Sequence, residues 1–314
     1  MTGDWTYCGL PVSSPLGVAA GPLLNGDWCR YYAQLGFDVV TYKTVRSQFR
    51  QCYPAPNLTP VICRSLDGTE DESLESSQAE TSWAVSYGMP SQTPKVWQGD
   101  VQRTRAGLNA MPTSDSRPHR PLLSVSVVAT VDGDATLDLL AADYARCARW
   151  AREAGADCVE ANFSCPNVVT CDGQLYQQPD EAVAVARRIH SALDDTPLII
   201  KVGHLPDVKT ADRLVQQLAG SVTALAMTNS VATRVRGLNG ELLFSGQRRG
   251  ICGEACRDAS LRQVAMIRQI IDRHQLPLRI IGVGGIFSAD HVRSYLNAGA
   301  ESVQLATSAM QQPD

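Results

Sequence analysis

Eight short aliphatic runs, spaced along the chain with helical patterns between several of them, constrain this sequence more than any other feature. They occupy residues 18–20, 39–43, 122–127, 158–162, 198–202, 224–228, 279–283 and 302–306. Between them, Leu137, Leu140, Ala141, Tyr144, Ala148 and Ala151 fall at helical spacing, as do Ala182, Val185, Ala186 and Ile189, and later Leu261, Val264, Ile267 and Ile271. Strands alternating with helices predict parallel pairing through right-handed crossovers. Eight of them fit an α/β fold of the closed (β/α)8 TIM-barrel type better than an open sheet. A barrel of this kind carries its chemistry on the loops that leave the C-terminal ends of the strands.

The 314 residues are expected to form one barrel domain over 1–314. A long polar insertion at 46–92 follows the second strand. Between Ser65 and Pro94 it holds six acids (Asp67, Glu70, Asp71, Glu72, Glu75, Glu80) and no base. It reads either as a solvated excursion or as a lid or subunit contact over the barrel mouth, since long loops are often functional. The chain stops soon after the eighth run, where a barrel would add a closing helix; the expectation is truncation or cover by another element.

A net charge of -4 gives no basic footprint for nucleic acid, and no apolar run approaches the roughly 20 residues of a membrane span. The N-terminus lacks the pattern of a signal peptide. A cytoplasmic protein with no membrane or nucleic-acid partner is expected. The ten cysteines show no Cys-x-x-Cys pair, so most are expected to be small buried hydrophobes. No metal site is expected.

Cys165 is the exception. It stands in Glu160-Ala-Asn-Phe-Ser-Cys-Pro-Asn167, directly after a strand and between two carboxamides, Asn162 and Asn167. A thiol with an ordinary pKa near 8.5 can accept a proton if the site supports the thiolate, and the asparagines can hold a planar, amide-rich ring over it. Lys43 and Lys201 end aliphatic strands. An ammonium there must face a polar cavity or an anion, because burying it unpaired costs several kcal/mol. A desolvated lysine could also form a Schiff base, so a barrel lyase or aldolase is the alternative from another class. Gly282-Val-Gly-Gly-Ile286, Leu305-Ala-Thr-Ser308 and Gly250-Ile-Cys-Gly253 are placed to bind phosphate through backbone N–H groups after the last strands. Asn229 and Ser230 add polar groups after the sixth strand.

These pieces resemble the dihydroorotate dehydrogenase family. The resemblance rests on Ala19-Ala-Gly21, Tyr42-Lys-Thr44, Gly88-Met-Pro90, Asn162-Phe-Ser-Cys-Pro-Asn167, Lys201, Thr228-Asn-Ser230, Gly250-Ile-Cys-Gly253, Gly284-Gly285 and Ala306-Thr307, in family order along nearly the whole chain. The cysteine loop is the specific element; the glycine pairs are not. A cysteine there resembles the class 1 members, where class 2 members place serine.

The resemblance implies FMN as the cofactor. Gly284, Gly285, Ala306 and Thr307 would hold its phosphate with Gly253 nearby, and Ala20, Gly21, Lys43, Thr44, Ser126, Asn162 and Thr228 would line the rest. Ser124 lies two residues from Ser126 on the same strand face. Lys201 would sit at the N1/C2 edge of the ring and stabilise its reduced form. Cys165 would remove a proton while a hydride passes to N5, oxidising dihydroorotate to orotate in pyrimidine biosynthesis, with Lys43 as a second catalytic group. Lys43, Tyr87, Gly88, Met89, Asn162, Asn167, Asn229 and Ser230 would grip the dihydropyrimidine-like substrate. A homodimer is implied, or a chain that passes electrons to another subunit. One segment departs from the family pattern Asn-Ser-Met-Gly-Leu-Pro-Asn: here it is Val85-Ser-Tyr-Gly-Met-Pro-Ser91. Loss of one carboxamide hydrogen bond typically costs about 0.5–3 kcal/mol. A related dihydropyrimidine, or another substrate with a reducible C–C bond, is therefore the alternative substrate.

Overall fold

The computed structural model describes residues 4–130, 135–164, 174–205 and 207–313. Eight parallel strands close into a barrel: Leu16–Val18, Val39–Val45, Leu122–Val127, Cys158–Asn162, Leu198–Lys201, Ala224–Met227, Arg279–Val283 and Ser302–Leu305. The expected (β/α)8 architecture is borne out. The first strand begins and ends two residues earlier than expected, so Ala19 and Ala20 lie beyond it, in the loop at the mouth.

Alternation along the strands sorts their side chains. Val40, Leu123, Val125, Val159, Ala161, Ile200, Leu225 and Val303 join the large core under the helices. Val39, Cys158, Ile199, Ala224 and Ile281 form a separate interior cluster with Tyr7, Cys8 and Val12. The last three come from an N-terminal hairpin, Trp5–Tyr7 with Leu10–Val12, that plugs the barrel floor. Tyr7 is fully buried, and its hydroxyl accepts a 2.9 Å hydrogen bond from Gln304 Nε2. Interior positions further along the strands are polar, among them Ser126, Glu160, Asn162 and Lys201, all buried. A barrel that packs apolar side chains at its floor and polar ones towards the C-terminal ends of its strands has placed its chemistry at that end.

Helix starts follow simple capping rules. Asn25, Thr136, Asp207 and Ser288 each accept a hydrogen bond at the N-terminus of Gly26–Gln34, Leu137–Glu153, Val208–Leu218 and Ala289–Asn297. After the eighth strand comes a five-residue helix, Thr307–Gln311, and the Tyr32 hydroxyl donates to the carbonyl of its Ala309.

The insertion is built of strands. Leu58–Ile62, Glu72–Glu75 and Ser82–Val85 join Val231–Arg236 and Arg249–Gly253, which follow the sixth barrel strand, in a second closed barrel of five strands. Its core holds Val61, Ala84, Val231, Val235 and Ile251. Two acids of the insertion find bases in the other segment: Glu72 is bonded through both oxygens to Arg236, and Asp71 lies 3.1 Å from Arg248. These ion pairs are substantially exposed, so each contributes little stability. Backbone ladders and the small apolar core hold the unit together. The polar surface of the insertion thus covers a paired sheet, which neither the solvated-excursion nor the lid reading of 46–92 specifies.

Candidate active site

Four groups of residues meet at the mouth of the large barrel. The first is a cleft lined by Gly253, Gly284, Gly285, Asn229, Ala306, Thr307 and Ser308. Gly253, Gly284 and Gly285 have φ of +93°, +119° and +62°, a region that favours glycine. A Cβ on Gly285 would stand 2.6 Å from the Cβ of Arg257. Ser308 Oγ in the cleft, and Thr228 Oγ1 at the end of the sixth strand, are buried hydroxyl oxygens without a hydrogen-bond partner among the described residues. Buried hydroxyls are rarely left so, and both suit the oxygen-rich end of a ligand. Two helix residues brace this region from behind the strands, and sequence reading missed both. Tyr295 donates a 2.7 Å hydrogen bond to the Gly284 carbonyl, and Ser260 donates a 2.6 Å bond to that of Val283 while accepting from the Thr228 N–H.

The second group is ionic. Lys201 ends the fifth strand, only 5% exposed, with Nζ 3.7 Å from Oε1 of Glu160. Glu160 is a fully buried acid in the fourth strand, outside every motif that pointed to the site. Its signal was present: one carboxylate inside an otherwise uncharged buried strand needs a partner. Lys43 is half-buried at the end of the second strand. Burial pulls its pKa below the ordinary lysine value, and the nearby Cys52 thiol works in the opposite direction.

The third group is a chain of carboxamides and hydroxyls. Asn229 Nδ2 donates to Ser164 Oγ at 2.6 Å, and Ser164 Oγ donates to Asn162 Oδ1 at 2.8 Å. Asn162 Nδ2 in turn reaches Met89 Sδ at 3.4 Å. One line of contacts thus joins the ends of strands four and six to the turn at Gly88 and Met89. Thr44 and the fully buried Ser126 share a hydroxyl–hydroxyl bond of 3.0 Å. Ser126 pairs in register with Glu160, whereas Ser124, lower in the strand, pairs with Cys158 at the apolar floor.

The fourth group holds that turn. Gly88 has φ +70°, and a Cβ there would press into the Tyr53 ring at 2.6 Å. The buried Arg46 donates to the carbonyls of Met89 (3.0 Å) and Ala129 (2.7 Å), tying the second and third strand ends together. Arg46 was also missed, because a base directly after a strand reads as a surface residue.

The remaining expected residues divide. Ala20 is buried and Gly21 exposed at the mouth, with nothing within 4 Å of the position a Cβ would take on Gly21. Ser230 is half-buried, its hydroxyl against Gly250. Tyr87 is 42% exposed, and its backbone carbonyl accepts a hydrogen bond from the Tyr53 N–H. Val85 pairs with Gly250 and Leu58 in the small barrel. Cys165 and Asn167 lie outside the described residues. Among the described residues, no helix is long and apolar enough to cross a membrane.

A parallel barrel with a glycine-lined cleft after its last strands and a carboxamide–lysine rim defines a class of ligand-binding barrels. Comparison narrows it. The family model described as dihydroorotate dehydrogenase matches residues 4–313. A dihydroorotate dehydrogenase of Dictyostelium discoideum is 32% identical over 98% of this chain and 84% of its own length. Dihydroorotate dehydrogenase A (fumarate) of Limosilactobacillus reuteri is 29% identical over 52% of each chain. The fold is shared with the crystal structure of DHODH in complex with ferulenol from Eimeria tenella, at TM-score 0.72 and 18% identity, over 96% of this chain and 78% of that one. The chain belongs to the dihydroorotate dehydrogenase family, whose members are oxidoreductases acting on CH–CH donors.

Proposed function

We propose that this chain binds FMN at the barrel mouth and oxidises dihydroorotate to orotate. The observation that carries the reading is the glycine cleft beside the Asn162–Ser164–Asn229 chain, with Lys201 buried at the same end of the strands. The residues fit the cofactor. Gly253, Gly284, Gly285 and the Ala306–Thr307 backbone would hold the phosphate, with the unpartnered hydroxyl of Ser308 in reach. Ala20, Gly21, Lys43, Thr44, Ser126, Asn162 and Lys201 would surround the ring. When bound, FMN supplies the two-electron acceptor for the substrate's hydride.

The chain's own residues do the rest. Cys165 takes the proton from the neighbouring carbon, acting as general base. Asn162, Asn167, Asn229 and Ser230 orient the ring amides. Holding reacting groups in register converts a bimolecular encounter into an effectively intramolecular step. Lys43 receives the substrate carboxylate. Met89, in the turn that follows strand Ser82–Val85 of the small barrel, contacts Asn162 and would cover the ring on that side.

Purified protein is expected to be yellow and to lose its flavin absorbance anaerobically on addition of dihydroorotate. Colourless protein that takes up no added FMN would sink the proposal. Bleaching by dihydrouracil but not by dihydroorotate would move the substrate to another dihydropyrimidine, in line with Val85 and Tyr87. The lyase alternative weakens because Lys201 already has a carboxylate partner in Glu160. Light scattering separates a homodimer from a chain that awaits an electron-transfer subunit.

The lowered pKa of Lys43 gives a pH prediction. A depressed lysine sheds its charge at a lower pH than the ordinary value of about 10.4. Affinity for an anionic substrate is present below the lowered pKa and lost as pH rises through it. KM is expected to climb on an alkaline limb that starts below the normal lysine range, and Lys43→Met is expected to flatten that limb. A limb unchanged in the variant would remove Lys43 from the carboxylate site.

A further inference from the structure

Glu160 is a buried charge without an assigned task. It is fully buried in the barrel interior, beside Ser126 in one neighbouring strand and Ile199 in the other. Neither carboxylate oxygen accepts a hydrogen bond among the described residues. Its counter-charge is Lys201 Nζ, 3.7 Å away, which is ion-pair distance but too long for a good hydrogen bond. Stability does not account for such an arrangement. Two desolvated charges recover their desolvation penalty only when further hydrogen bonds satisfy them, and an apolar pair in their place is often no less stable. No described residue accepts a hydrogen bond from Lys201 Nζ, so an ammonium with three donors is held by charge while its donors stay uncommitted.

We propose that Glu160 is a positioning residue for Lys201: it anchors the ammonium inside the barrel with its donors free for the flavin, and its own negative charge lowers the reduction potential of the bound cofactor. The inference rests on the FMN reading above. Lys201 next to the ring favours electron-rich, reduced flavin. Glu160, one ion-pair distance further off, opposes that effect in part. The pair therefore gives the site donors and a local field with little net charge. The same geometry explains why the acid lies on the strand next to the lysine. Lys201 pairs in register with Asn162, so the residue two positions before Asn162 in the fourth strand points to the same interior one layer deeper.

The test is the midpoint potential of bound FMN, measured by anaerobic dye titration, together with the FMN dissociation constant. Glu160→Gln keeps the shape and removes the charge. It is expected to shift the potential in the positive direction and to weaken FMN binding several-fold, whereas Lys201→Met shifts the potential in the negative direction. Glu160→Asp, whose carboxylate stands one methylene further back, is expected to shift the same way as Glu160→Gln but less. If Glu160→Gln does not fold, Glu160→Asp carries the test alone. Potentials equal to wild type in the folded Glu160 variants would overturn the inference. Wild-type protein that binds no FMN would overturn the cofactor reading instead, and the two failures are told apart by the wild-type titration.

Discussion

Cys165→Ala is expected to slow anaerobic oxidation of the substrate by about 10²–10⁴-fold, the usual contribution of a positioned general base, while FMN binding stays as in wild type. The proton to be removed sits on the ring carbon beside a carbonyl, too weakly acidic to leave without a positioned base, and Cys165 is the one side chain of the loop Asn162-Phe-Ser-Cys-Pro-Asn167 whose ordinary pKa lets it serve as that base. Serine at this position should restore part of the rate only at high pH, because a hydroxyl gives up its proton far less readily than a thiol. The rate is read by stopped-flow bleaching of the flavin band, with Cys52→Ala as the control. Cys52 is an exposed thiol near enough to influence Lys43, and its loss should leave the proton-transfer rate unchanged. A Cys165→Ala enzyme that bleaches at the wild-type rate would assign the base to another group.

The large barrel was legible in the sequence because each strand is a short aliphatic run between helical patterns, and parallel strands buried on both faces read as continuous apolar segments. The glycine cleft was legible for a related reason: positive φ at Gly253, Gly284 and Gly285 leaves a mark in residue type. The small barrel was not read. Its strands are only four to six residues long, and the two segments that build it are separated by four barrel strands. Alternation was nevertheless present. Val231, Thr233 and Val235 are buried, while Ala232, Arg234 and Arg236 face outward or lie half-exposed. The insertion's surplus of acid hid the same pattern at Thr59 and Val61, because its neutralising bases lie far along the chain. Glu160, Arg46, Ser260 and Tyr295 were missed for a different reason. Arg46, Ser260 and Tyr295 act on backbone from outside the site, and one-dimensional spacing carries no trace of that, whereas Glu160 left a sign, a lone carboxylate in an apolar strand, that points to a partner but not to which one. Sequence reading finds groups that meet a ligand more readily than groups that hold those groups in place.

Gly253→Ala is expected to damage both barrels at once. Gly253 pairs with Ser82 in the small barrel and lines the phosphate cleft of the large one. Its φ of +93° is unfavourable for alanine, and the added Cβ would collide with the backbone carbonyl oxygen of Thr81. Backbone cannot rotate aside as a side chain can. Strand Ser82–Val85 would have to shift, with loss of the 3.0 Å bond from the Glu254 N–H to Thr81 O and the 3.0 Å bond from the Ala255 N–H to Ser82 Oγ. Strained backbone of this kind costs about 1–3 kcal/mol, and overpacking a further 1–3 kcal/mol. In a chain of this size each kcal/mol lowers Tm by about 2 °C, so a fall of roughly 4–12 °C is expected, with FMN affinity reduced at least tenfold. Two glycines nearby set the scale. Gly21→Ala meets nothing within 4 Å and should be neutral in Tm. Gly250→Ala would press on both the hydroxyl and the Cβ of Ser230; the hydroxyl can rotate but the Cβ cannot, so it should raise KM with a fall in Tm smaller than that of Gly253→Ala. If Gly253→Ala melted and bound FMN like Gly21→Ala, the junction between the two barrels would not be the rigid wall of the cofactor cleft.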